Sequence, residues 1–64
     1  MYKISVLRIQ HTPKGDRESY IFNGGSFETF EEAKEIAESD WNRSKYIGYK
    51  ITDTETKKVV KVRF

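Results

Sequence analysis

The sequence predicts an α+β domain of ββαββ order, in which one helix packs across one face of a four-stranded, largely antiparallel sheet. Three observations point there. Apolar and β-branched residues alternate at a period of two near both ends of the chain. Apolar residues three and four apart run through its middle, and clusters of turn-forming residues separate these stretches. With 64 residues, 36% hydrophobic, 34% charged, one Pro and no Cys, the chain is long enough for a single domain over residues 1–64 and too short for two.

The first strand is expected from Tyr2 to Gln10, where Tyr2, Ile4 and Val6 alternate with Lys3 and Ser5. The apolar phase then moves to Leu7 and Ile9. Either a bulge near Val6 and Leu7 or a strand covered on both faces explains the change. His11 to Arg17 reads as a turn, since Pro13 lacks an amide donor and Gly15 takes positive φ readily. Glu18 to Asn23 is the return strand, with Tyr20 and Phe22 expected on one face and Ile21 on the other.

Asn23, Gly24, Gly25 and Ser26 break that strand, and Thr29 followed three residues later by Glu32 matches a capping box. A helix is expected from about Phe30 to Asn42. Phe30, Ala33, Ile36, Ala37 and Trp41 share its apolar stripe, while Glu31, Glu35, Glu38 and Asn42 face water. On that reading Trp41 belongs to the core, and its replacement by Ala would cost about 3–5 kcal/mol. Tyr46 to Asp53 alternates again, a turn runs through Asp53 to Lys57, and Lys58 to Phe64 forms the last strand.

One helix covers one face of the sheet. The buried set is expected to be Tyr2, Ile4, Val6, Tyr20, Phe22, Ile47, Tyr49, Ile51, Val60, Val62 and Phe64. The opposite face then lies open, and alternation gives it Lys3, Leu7, Ile9, Ile21, Tyr46, Lys50, Val59, Lys61 and Arg63, among the small residues Ser5, Ser19, Gly48 and Thr52. Leu7, Ile9, Ile21 and Val59 together suggest an apolar contact patch for a protein partner. The competing reading is nucleic acid, because cations on a sheet with an aromatic hold phosphates and stack bases. Against it, Tyr46 is the single aromatic expected on that face. Face-to-face self-association would bring Lys3, Lys50, Lys61 and Arg63 near their own copies, so a monomer or weak homodimer is expected.

Net charge is +2, but its distribution is uneven. Residues 28–40 carry Lys34 alone against Glu28, Glu31, Glu32, Glu35, Glu38 and Asp40, whereas the flanking segments are basic. An acidic helix surface repels phosphates, so a polyanion should approach the sheet side.

Catalytic chemistry finds little support. The sole histidine, His11, has only Asp16 as a carboxylate nearby in sequence, and no thiol is present to serve as a nucleophile. The Asn23–Ser26 segment lacks the Lys and the Ser or Thr offsets of a phosphate-binding loop, and Asp53 with Glu55 are too few carboxylates for a calcium loop. No enzymatic activity, cofactor or metal is therefore expected. Without Cys, an 18-residue apolar run or a signal-like leader, the sequence reads as a complete cytoplasmic product with no membrane role.

The stretch FETFEEAKEIAESDW, followed by YKITDTETKKVV, resembles a pattern in small uncharacterised ββαββ proteins of bacteria and bacteriophages, over about half the chain. A capped acidic helix precedes a strand ending in an Asp-Thr turn. The resemblance implies a small accessory protein acting by binding a host protein, and it assigns no functional residue.

Overall fold

The computed structural model describes residues 1–22 and 25–64. Strands β1 (Tyr2–Thr12) and β2 (Gly15–Phe22) precede helices α1 (Phe30–Ala37) and α2 (Asp40–Lys45), and β3 (Gly48–Asp53) and β4 (Val59–Arg63) close the chain. All neighbouring strands are antiparallel, in the order β2-β1-β3-β4, so the α+β class and ββαββ order stand. β1 and β3 are central, each paired with a strand on both sides, and they supply the most buried residues of the sheet. Ile4, Val6, Tyr49 and Ile51 lie opposite one another and are buried with Ala33 and Ala37 of α1.

Several sequence expectations shift here. The first hairpin is tighter than the seven-residue turn expected: β1 continues to Thr12, β2 starts at Gly15, and only Pro13 and Lys14 lie between. Gly15 takes φ +120, a value that favours glycine, which lets so short a connection close. No bulge interrupts β1, because the register runs without a skip from Ser5 to Thr12 against β2. Leu7 is instead buried on the side away from the helices, so the strand is covered on both faces there.

The two-residue connection also fixes the phase of β2, and the phase is opposite to expectation. Val6 pairs with Ile21, so Ile21 packs against the helix-side core, while Tyr20 and Phe22 turn to the other face and stay exposed. Asn23 and Gly24, expected to end this strand, lie outside the described residues.

The helix begins where expected, since Thr29 is the N-cap and its Oγ1 accepts from the Glu32 amide at 3.2 Å. It does not run on to Asn42. Glu38 and Ser39 interrupt it, and α2 restarts with Ser39 as its N-cap. That break re-phases the last turn. Trp41, expected in the core, is 66% exposed, and Asn42, expected in solvent, is buried with its Nδ2 donating to the Ile36 carbonyl at 2.7 Å. Ile36, Val60 and Phe64 are likewise more exposed than the stripe and strand patterns implied.

Tyr46 precedes β3 and packs against the helix-side core, so it leaves the open face to which alternation assigned it. At the far end, Asp53 organises the β3–β4 connection. Its Oδ1 accepts from the Glu55 amide at 2.9 Å, which holds its carboxyl below the ordinary aspartate range against the opposing effect of burial. Lys57 in that turn adopts φ 61, a left-handed conformation uncommon for a lysine.

Candidate functional site

The face turned away from the helices is built by strand register. Lys3, Ser5, Leu7, Ile9 and His11 of β1 align with Phe22, Tyr20, Glu18 and Asp16 of β2 on one side, and with Thr52, Lys50 and Gly48 of β3 on the other. Val59, Lys61 and Arg63 complete it from β4. Of the nine residues expected here, seven share this face. Ile21 and Tyr46 do not, for the reasons given above.

The four aliphatics expected to form one patch do not form it. Ile21 is on the other face and Leu7 is only 6% exposed. Ile9 and Val59 remain exposed, but Val59 aligns through Thr52 with Lys3, six residues along β1 from Ile9. At strand rise that separation is about 20 Å.

Two aromatics take the place of the patch. Tyr20 and Phe22 are two residues apart on β2, about 7 Å along the strand, and both rings are accessible. Lysine ammonium groups gather at them. The Lys50 Nζ lies 4.6 Å from the Tyr20 ring centroid, the Lys61 Nζ 6.0 Å from the same ring, and the Lys3 Nζ 5.7 Å from the Phe22 ring. Lys50 and Lys61 are direct cross-strand partners, a like-charge arrangement that costs stability unless an aromatic face or an anion offsets it.

Carboxylates on this face are both engaged. The Arg63 Nη2 donates to the Glu18 Oε1 at 2.7 Å, crossing from one edge strand to the other, and His11 Nδ1 lies 2.8 Å from Asp16 Oδ1. Arg63 aligns through Gly48 of β3 and Leu7 of β1 with Tyr20 of β2, so its side chain extends across the two central strands to reach Glu18. The Arg63 guanidinium holds the Glu18 carboxyl below the ordinary range, and Glu18 in turn raises Arg63. Between the pair and the Tyr20 ring is a pocket of about 320 Å³, lined by Leu7, Glu18, Tyr20, Lys61, Val62 and Arg63.

No family model, curated protein or solved structure gives a significant match to this chain. The site is therefore read from its own chemistry.

The Tyr20 and Phe22 contributions were hidden in the sequence. Their alternation is plain, but its parity relative to β1 depends on the length of the turn at Pro13 and Lys14. On the helix side the exposed side chains of α1 include Glu31, Glu32 and Glu35, so that helix presents a mainly acidic surface. Among the described residues no group of three or more His, Asp or Glu side chains is arranged to hold a metal ion, and no helix is long and apolar enough to cross a membrane.

Proposed function

We propose that this chain is a small non-enzymatic binding module whose open sheet face takes single-stranded nucleic acid. The observation that carries the reading is the pairing of Tyr20 and Phe22 on one face with three lysines at their rings. Every base has a π-face, so two accessible rings on adjacent same-face positions offer stacking without demanding a particular sequence. Lys3, Lys50 and Lys61 supply the cations that displace counterions from a phosphate backbone. Arg63 neutralises Glu18, and Asp16 pairs with His11 at the hairpin end of the face, away from Lys3, Lys50 and Lys61.

The protein-partner reading rested on an apolar patch. With Leu7 covered, Ile21 on the core side, and Ile9 and Val59 at distant corners, that aliphatic patch is dispersed, and a face-to-face dimer would bury Tyr20 and Phe22 only by bringing Lys3, Lys50 and Lys61 near their own copies. The module is accordingly read as a monomer.

Fluorescence anisotropy with labelled single-stranded oligonucleotides tests this reading. Binding should weaken steeply as salt rises, Tyr20→Ala and Phe22→Ala should each weaken it about tenfold or more, and Lys50→Glu with Lys61→Glu should abolish it. Absence of binding at low salt, or a complex indifferent to salt and to both aromatic substitutions, would overturn it.

A further inference from the structure

Resting on the nucleic-acid reading, a finer assignment follows from the pocket beside Tyr20. We infer that this pocket receives one base and prefers guanine, with Glu18 as the reading residue. The pocket is at the small end of the range for specific ligand sites, which suits a single base rather than a larger ligand. Leu7 and Tyr20 are among its lining residues, so an aliphatic and an aromatic side chain are available to a base. Lys50 and Lys61 stand at the same ring, where the phosphate of the bound nucleotide would relieve their mutual repulsion.

The polar rim sets the preference. Glu18 and Arg63 place a carboxylate and a guanidinium side by side, joined by a single hydrogen bond from Nη2 to Oε1. Among the described residues Arg63 is the one side chain that hydrogen-bonds Glu18, which leaves Oε2 and the second lone pair of Oε1 to accept from a ligand. An ionised carboxylate is acceptor-only, and Arg63 favours that ionised form. Of the four bases, guanine alone presents two adjacent N–H donors, N1–H and the N2 amino group, that match the two oxygens of one carboxylate. Its neighbouring O6 is an acceptor, and Arg63 has donors beyond the one given to Glu18. Adenine and cytosine each offer one amino group on the corresponding edge. Thymine's single N–H stands between two carbonyl oxygens that a carboxylate repels.

The test uses thymidine oligonucleotides carrying a central guanine, inosine, adenine or cytosine, titrated against the intact protein. Guanine should bind about tenfold or more tightly than thymidine alone, inosine should lose most of that gain because it lacks the N2 amino group, and adenine should gain nothing. Glu18→Gln preserves the shape of the side chain but puts an N–H₂ donor where an acceptor oxygen was. Within the variant it should bring guanine-containing and thymidine oligonucleotides to equal affinity, whatever shift the lost charge gives to both. Equal binding of all oligonucleotides by the unaltered protein overturns the guanine assignment and leaves the nucleic-acid reading standing. A guanine preference that survives Glu18→Gln also overturns it, because Glu18 would not be the reader. No binding of any oligonucleotide overturns both.

Discussion

The Tyr49 hydroxyl donates a 2.5 Å hydrogen bond to Oε2 of Glu38, the residue at which α1 ends. A buried strand residue is thereby tied to the break between the two helices. Arg43 of α2 donates to the other oxygen of the same carboxylate at 3.2 Å and lies over the Phe64 ring, so one glutamate joins both helices to the sheet. Removing the hydroxyl in Tyr49→Phe leaves the ring packed and deletes only the bond. A loss of about 1–2 kcal/mol is expected in urea unfolding. A loss below a few tenths would mean that the bond contributes nothing net.

The same pair gives stability a pH dependence at both extremes. Burial first, and the Glu38 carboxylate second, push the Tyr49 phenol from 10.0 up to about 12. The folded state therefore keeps this proton more tightly than the unfolded chain. Its contribution is complete below about pH 10 and is lost as the pH rises towards 12. On the acid side, the hydrogen bond from Tyr49 lowers Glu38 against the opposing effect of burial, with Lys34 and Arg43 adding to the lowering. That contribution is complete above the ordinary value of 4.5 and is lost as the pH falls below it. Thermal midpoints measured across this range should fall at both ends, and Tyr49→Phe should flatten the alkaline fall. An alkaline decline identical in the variant would remove Tyr49 as its cause.

Gly48 is irreplaceable for a steric reason. A Cβ built there would stand 2.5 Å from the Val62 carbonyl oxygen and 3.2 Å from the Arg63 Cα, both backbone atoms of the paired strand. Neither can rotate aside. Gly48→Ala should cost about 1–3 kcal/mol and perturb amide shifts along β4. An unshifted β4 with wild-type stability would contradict the close approach.

Trp41 and Asn42 exchange the roles that sequence periodicity gives them. Trp41→Ala should cost less than about 1 kcal/mol, since the ring is largely in water, with the Lys45 ammonium 4.5 Å from its centroid. Asn42→Ala should cost more, about 1–3 kcal/mol, because it strips the Ile36 carbonyl of a buried donor. Tryptophan fluorescence offers an independent check. Emission should be red-shifted and freely quenched by acrylamide in the folded protein, whereas a blue-shifted, protected indole would return Trp41 to the core.

The kinds of element were legible in the sequence because the signals for them are local. Thr29 caps its own helix, Ala33 and Ala37 share a stripe by spacing alone, and the alternation in Tyr2–Val6 and Tyr49–Ile51 needs no partner to be visible. Lys3, Lys50, Lys61 and Arg63 could be assigned to the open face for the same reason. Tertiary structure decided which face each strand presents and where the helix breaks. Tyr20-Ile21-Phe22 alternates equally well in either phase, and a shift of one residue in register exchanges its faces. The two-residue connection at Pro13 and Lys14 selects the phase that sets Ile21 opposite Val6 and sends both aromatics outward. The helix divides at Glu38 because its carboxylate engages Tyr49 and Arg43, partners at separations of eleven and five residues. Contacts of the longer kind leave no periodic trace in a sequence, since what holds them in place is the packing of the sheet rather than the spacing of the chain.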